Sequence, residues 1–229
     1  MMRIMSSSRR IGGFTLVEVL VAMMIMAILA VMAWQGVDGI VRTRDASQAR
    51  LEQTLRLNTV LAQWEQDLMA LQQSGAVDAF DFNGATVRLT RRAERGLQVV
   101  TWSLLPAAEG AAGGGTLLRW ASAPATTVAK LQETWMQTLQ FQGVEPGQLP
   151  TLKGVVQWQL QCAYSSGAGQ GAINWANCQS TADVVAPPPG ASAPAVAPRA
   201  ALPDVVRLVI EFGGGEINGS LTRDVRVVP

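Results

Sequence analysis

The sequence predicts an α+β protein in which one long N-terminal helix precedes a β-rich domain. Residues 14–37 are almost continuously apolar, and residues 38–73 carry apolar side chains in steps of three and four. From residue 74 to 229, short runs rich in Val, Leu and Thr recur between turn signals. The length of 229 residues suits one domain with an additional segment.

The first half of the predicted helix is long enough to cross a membrane. Residues 19–34 are all apolar. A helix over residues 14–37 measures about 36 Å, and a hydrocarbon core is about 30 Å thick. Arg3, Arg9 and Arg10 precede it, so the N-terminus is expected in the cytoplasm and the C-terminal part outside, which in a bacterium is the periplasm.

Glu18 is a lone carboxylate close to the start of this apolar run. Within a membrane span a carboxylate is costly unless it is paired, so its presence indicates a function. One interpretation is a carboxylate that is paired or hydrogen-bonded inside the membrane and has a function there. The other is a glutamate at headgroup depth in the first helical turn, stabilised by the helix dipole.

The second half of the helix, residues 38–73, is predicted to be amphipathic. No proline interrupts residues 14–73, so one helix of about 60 residues is expected. Gly36 and Gly39 are the predicted bend points. The segment 128–141 is compatible with either a helix or a strand.

Six runs downstream have the composition of β-strands. They are residues 86–90, 97–104, 116–121, 155–164, 205–212 and 220–228. Alternation places Val156, Trp158 and Leu160 on one predicted face. Residues 184–203 are rich in Pro and Ala and predict a flexible inserted loop, with a proline-rich recognition segment as the alternative.

Other polar and aromatic residues leave alternatives open. Cys162 and Cys178 flank a Gly- and Ser-rich loop, and a periplasmic location would permit a disulfide; two reduced thiols are the alternative. Residues 78–83, DAFDFN, have oxygen ligands spaced somewhat as for calcium, but an Asx-type turn explains them more simply. Trp175 is a candidate for an exposed aromatic contact. The other tryptophans in periodic runs are predicted to fill the core, namely Trp64, Trp102, Trp120 and Trp158.

Composition excludes several classes of function. The chain has no histidine, which excludes Ser-His-Asp and Cys-His catalysis. Its two cysteines are too few for a four-cysteine zinc site. Beyond the N-terminal arginines the chain is slightly acidic, so no nucleic-acid partner is expected. No metal site, cofactor or enzymatic activity is predicted; a membrane-anchored enzyme using Asp/Glu pairs is the alternative from another class.

Residues 13–18, GFTLVE, resemble the class III signal of type IV pilins and type II secretion pseudopilins. The resemblance implies that a prepilin peptidase cuts between Gly13 and Phe14 and removes residues 1–13. It also implies N-methylation of Phe14 and retention of the apolar helix. Glu18 would then pair with the terminal amine of a neighbouring subunit.

Longer motifs resemble one member of this superfamily, the J-type minor pseudopilin. The run AWQGVDGIVRTRDASQARLEQTLRLNTVLAQWEQDL resembles its W/Y-x-G-hydrophobic-D segment and long helix. LKGVVQWQLQCAY, INWANC, LPDVVRLVIEF and GSLTRDVRVV resemble its terminal strands and a Trp-bearing turn.

This second resemblance implies a β-rich periplasmic domain of two sheets on an inner-membrane helix. The function it implies is that of a structural subunit in the tip complex of the pseudopilus. The implied partners are the I-type and K-type minor pseudopilins, with other pseudopilins contacting the N-terminal helix. A minor pilin of a type IV pilus, used in adhesion, motility or DNA uptake, is the alternative.

Overall fold

The structure is a computed structural model that describes two compact units, Met1–Leu51 and Glu52–Pro229. The described residues are 13–108, 113–141, 143–165, 173–179, 202–213 and 217–227. Residues 1–12 of the predicted leader, including the three arginines, lie outside them, as does most of the predicted loop 184–203.

Helix α1 (Leu16–Met69) begins in the first unit and ends in the second. In the first unit every described residue is exposed, including the whole apolar segment. The helix is continuous through Gly36 and Gly39. The long N-terminal helix predicted from periodicity is confirmed.

The second unit is built on antiparallel strands with one further helix, α2 (Val128–Thr138). The strands are β1 (Phe80–Phe82), β2 (Thr86–Ala93), β3 (Gly96–Leu105), β4 (Gly115–Ala121), β5 (Leu149–Ser165), β6 (Ile173–Asn177), β7 (Val205–Phe212) and β8 (Gly219–Arg226). Their order in the sheet is β1-β2-β3-β4-β5-β7-β8, and β6 pairs with β5. The architecture is therefore α+β, as predicted.

The two-sheet arrangement is not confirmed, because strand β5 connects both halves of the sheet. β5 has 17 residues. Its first part pairs with β4, from Leu149 to Val155, and its second part pairs with β7 and β6. The described strands therefore form a single hydrogen-bonded sheet.

All six predicted strands are present, and β7 has the predicted bounds. The sequence pattern does not predict β1 and β6, which have only three and five residues. The ambiguous segment 128–141 begins as helix α2, since Thr127 caps it by accepting a hydrogen bond from the Lys130 backbone at 3.3 Å. Leu131 and Trp135, one helical turn apart, are buried on the inner face of α2.

The prediction that Val156 shares a face with Trp158 and Leu160 is wrong. Val155 pairs with Phe212 and Gln157 with Glu211, so Val156 is an extra residue in the ladder. Such a bulge interrupts the alternation of side chains. Val156 is consequently 58% exposed.

The main core lies between the end of α1 and one face of the sheet. Trp64 and Trp102 are buried and meet edge to face, with ring centroids 5.5 Å apart. Trp158 is buried against Phe82, but Trp120 is not part of this core. Trp120 follows Arg119, which pairs with Trp102, so Trp120 points to the opposite face, where its ring lies 6.1 Å from that of Phe141.

The predicted helix to residue 73 ends at Met69, because the following backbone bonds to strand β2. The Gln72 amide donates to the Thr90 carbonyl at 2.9 Å, and the Arg92 amide donates to the Ala70 carbonyl at 2.9 Å. These bonds pair the backbone after the helix with strand β2. The amide and carbonyl groups of this segment therefore find hydrogen-bond partners as residues within the sheet do.

Candidate functional site

The N-terminal motif begins in a short segment without regular secondary structure and continues into α1. Gly13 and Phe14 are exposed and precede the helix. Thr15 occupies the N-cap position, since its side-chain oxygen accepts from the Glu18 backbone at 3.4 Å and its carbonyl accepts from the Val19 amide at 3.3 Å. Glu18 lies in the first turn of α1, where the helix dipole favours a carboxylate.

The helix that follows this motif has an apolar surface, and no described residue covers it. The most apolar part of the helix is not buried against any described residue. The large side chains from Phe14 to Val41 are between 44% and 83% exposed. An apolar surface of this extent needs a bilayer or neighbouring helices to cover it. By length and composition the helix fits a membrane anchor.

In the second unit, a buried carboxylate joins the end of α1 to the sheet. Asp67 is 0% exposed. Its oxygens accept from Arg91 at 2.6 Å and from Trp102 Nε1 at 2.9 Å. They also accept two bonds from Arg119, at 2.7 and 2.9 Å, and one from Gln63 at 3.1 Å. The network compensates the buried charge with two guanidinium groups.

The role of Asp67 was missed at the sequence level, although a signal was present. Val60, Trp64, Asp67 and Leu71 follow one another in steps of three or four, and with Leu68 they form one buried stripe. An acid on such a stripe must have a partner, because an unpaired buried charge is strongly unfavourable. Sequence alone does not show which basic residues on the sheet supply it.

Cys162 and Cys178 form a disulfide with an S–S distance of 2.13 Å, and both are buried. The bond links β5 to the residue that follows β6, next to the backbone pairing of these two strands. Trp175 lies in β6, where the resemblance placed a turn, and it is 40% exposed.

Trp175 contacts a charged pair that comes from strands β7 and β8. The Arg207 guanidinium lies over its indole, 4.2 Å from the ring centroid. Arg207 also donates two hydrogen bonds to Asp224, each of 2.7 Å. These bonds hold the pKa of Asp224 below its ordinary value and raise the pKa of Arg207.

The oxygen atoms of residues 78–83 serve the β1–β2 connection. Asn83 Oδ1 accepts from the Ala85 and Thr86 amides at 3.1 and 2.8 Å, which is an Asx-type turn, as predicted. The Asp81 carboxylate pairs with Arg88. Within the described ranges, no group of three or more His, Cys, Asp or Glu residues is arranged to hold a metal ion.

Comparison with known proteins identifies only the N-terminal segment. Residues 8–34 match the family model of the prokaryotic N-terminal methylation motif. No curated protein and no solved structure matches the chain significantly. The motif indicates a type IV pilin-like protein, a pilin or a pseudopilin, and it implies processing by a prepilin peptidase and pilin-like partners.

Proposed function

We propose that this type IV pilin-like protein is a J-type minor pseudopilin, a structural subunit of the pseudopilus tip complex in type II secretion. In this role it supports export of folded proteins across the outer membrane. The observation that carries the proposal is a methylation motif at the start of an exposed apolar helix. The J-type assignment is supported by the resemblance of the sequences in β5, β7 and β8 to that family's terminal block.

The protein would cross the inner membrane once, with its sheet in the periplasm. Arg3, Arg9 and Arg10 before the apolar segment favour a cytoplasmic N-terminus. The disulfide between Cys162 and Cys178 supports an oxidising compartment for the second unit.

Assembly would begin with cleavage after Gly13, which creates an α-amine on Phe14. N-methylation leaves this amine basic, so it can act as a cation near the membrane. The Glu18 carboxylate of one subunit would then pair with the Phe14 amine of a neighbour. Pairing removes the cost of an isolated carboxylate in lipid and sets the axial register of the helices.

The sheet would dock on the I-type and K-type minor pseudopilins, while α1 packs among the helices of other pseudopilins. The role is structural: it needs no bond chemistry and no cofactor. Growth of the whole filament would move the exported protein.

The charge pair is tested by Glu18→Ala, with Asp45→Ala as the matched control. Asp45 is an exposed acid on the same helix, outside the W/Y-x-G-hydrophobic-D segment that resembles the family. We expect Glu18→Ala to leave the sheet folded but to reduce filament assembly and secretion, and Asp45→Ala to reduce neither. Normal assembly and secretion by Glu18→Ala would overturn the proposed register role.

Processing and family membership have separate readouts. N-terminal sequencing of the mature protein should begin at methylated Phe14; a start at Met1, or beyond Ala33, contradicts the pilin-like assignment. Deleting the gene should stop secretion of folded proteins, and the protein should co-purify with I-type and K-type subunits. Loss of a type IV pilus with secretion intact would instead identify a minor pilin.

A further inference from the structure

A cavity of about 480 Å³ lies beside strand β5 in the second unit. It opens where the two strands on this side of β5 do not meet, since pairing with β4 ends at Val155 and pairing with β6 begins at Gln161. Gly84, in the turn after β1, lines another side of the cavity. The volume is within the range of about 300–1,000 Å³ that is typical of ligand sites.

Side-chain amides form the polar part of the lining, and none of the described lining residues is charged. Gln159 and Gln161 are two residues apart on β5, so their side chains lie on one face of the strand. Gln159 is exposed and Gln161 is half-buried, and neither side-chain amide forms a hydrogen bond with a described residue. Each amide therefore offers an acceptor oxygen and two N–H donors to a ligand.

Gln179 supplies a further amide, and its neighbours hold it in position. Its backbone donates to Asn177 Oδ1, and its Oε1 accepts from Asn177 Nδ2, both at 3.1 Å. Its Nε2 occupies the space that a Cβ at position 84 would need, so the amide lies directly against Gly84. An amide fixed in this way loses little conformational freedom when a ligand binds to it.

Trp175 adds an aromatic wall to the cavity and is 40% exposed. The Arg207 guanidinium lies over its ring, 4.2 Å from the centroid, and donates two hydrogen bonds of 2.7 Å to Asp224. The charge of this arginine is therefore compensated by its own partner. Trp175 keeps a large exposed apolar surface at the border of a cavity that is otherwise rich in amides.

We propose that the cavity beside β5 binds a neutral saccharide chain. A pyranose ring has a face of C–H groups that packs on an exposed indole, which is apolar and rigid. Its hydroxyls both donate and accept, so they match side-chain amides, which carry donors and an acceptor together. An ionised ligand, in contrast, would find no counter-ion among the described lining residues.

Two kinds of glycan share this chemistry: chains of N-acetylated sugars and chains of plain hexoses. Chitotriose represents the first kind and maltotriose the second, so the two trisaccharides serve as separate probes. The proposal goes beyond a structural role and does not depend on the assignment to type II secretion.

Fluorine NMR of the full chain labelled with 5-fluorotryptophan tests the proposal. The chain has seven tryptophans, and Trp175→Phe assigns the resonance of Trp175 by its loss. The protein is kept in lauryldimethylamine oxide, because a glycoside detergent such as dodecyl maltoside would itself present a saccharide. We expect at least one of the trisaccharides to shift the Trp175 resonance in a saturable manner.

A matched pair of glutamine substitutions locates the site. Gln159→Ala should weaken the affinity roughly three- to tenfold, the net effect of losing one hydrogen bond. Gln157→Ala is the control, since Gln157 is an exposed glutamine on the same face of β5 that is not among the described lining residues. It should leave the affinity unchanged.

Trp175→Ala tests the aromatic wall, with the affinity measured from saturation-transfer difference signals of the sugar protons. It should weaken the affinity roughly tenfold or more, as expected for an aromatic anchor. The fluorine resonances of the six remaining tryptophans show whether this variant is folded. If it is not folded, the comparison of Gln159→Ala with Gln157→Ala decides.

Three results would overturn the proposal: no shift of the Trp175 resonance with either trisaccharide, equal affinities of Gln159→Ala and Gln157→Ala, or wild-type affinity in folded Trp175→Ala. A shift caused by the neutral peptide acetyl-trialanine amide and by neither trisaccharide would assign the cavity to a peptide and would also overturn it. Tighter binding of chitotriose identifies an N-acetylated glycan as the ligand, and tighter binding of maltotriose identifies a hexose chain.

Discussion

Replacing Asp67 by alanine should strongly destabilise the second unit. The substitution removes the two carboxylate oxygens that accept hydrogen bonds from Arg91 and Arg119. The side chains of these arginines are only 20% and 11% exposed. Removing one partner of a buried ion pair costs about 3–5 kcal/mol, because the other charge stays buried without compensation. Since both arginines keep some contact with solvent, we expect a loss near the lower end, about 3 kcal/mol.

Urea denaturation of the full chain in detergent, followed by tryptophan fluorescence, measures this loss. Trp102 donates to Asp67 and contacts Trp64, so the signal reports on this part of the core. Glu65→Ala is the matched control, since Glu65 is nearby on the same helix and pairs with Arg223, which is 52% exposed. Such an exposed pair contributes only about 0–1 kcal/mol.

Asp67→Asn separates charge from packing, because it keeps the side-chain volume. It should lose most of the free energy that Asp67→Ala loses, since an amide has one acceptor oxygen and places N–H groups against the donors. If Asp67→Ala costs no more than Glu65→Ala, the ion-pair network does not hold the helix on the sheet. If only the alanine variant is destabilised, the contribution comes from packing.

Three further predictions concern the sheet. Reducing the Cys162–Cys178 bond should lower the free energy of unfolding by about 3 kcal/mol; alkylatable thiols in periplasmic material would contradict the bond. Arg207 lowers the pKa of Asp224. The contribution of this ion pair to stability should therefore be present above about pH 4 and be lost as pH falls through that lowered pKa. The Tm difference between wild type and Asp224→Asn should therefore shrink from pH 7 to pH 3, and a constant difference would contradict the pairing. Val156→Thr should change stability by less than about 0.5 kcal/mol, whereas the same substitution at the buried Val155 should cost more than about 1 kcal/mol; equal effects would contradict the bulge.

The features predictable from sequence are those set by the local pattern of residues along the chain. The apolar run and the stripe after it predict α1, and the composition of residues 205–212 predicts β7 with its observed bounds. Local pattern does not locate the bulge at Val156, because the bulge depends on the register between β5 and β7. Short strands such as β6 carry too few residues for a periodic signal.

The same distinction applies to the candidate sites. Gly13, Phe14 and Glu18 form a contiguous motif, so one sequence is enough to single them out. The cavity beside β5, in contrast, brings together β5, β6 and the turn after β1, which are distant in sequence. Trp175 could be identified as an exposed aromatic candidate, but its stacking on Arg207 depends on three paired strands.

The Asp67 network shows why a buried acid can specify the position of a helix on a sheet better than an apolar residue. Apolar contacts are non-directional, so a leucine at this position would tolerate several rotations of the helix end. Successive helical residues are about 100° apart, and a shift by one residue would move the carboxylate away from Arg91 and Arg119. Every shifted arrangement would leave charges unpaired in the core, which is strongly unfavourable. The acid therefore penalises alternative packings of the helix end against the sheet.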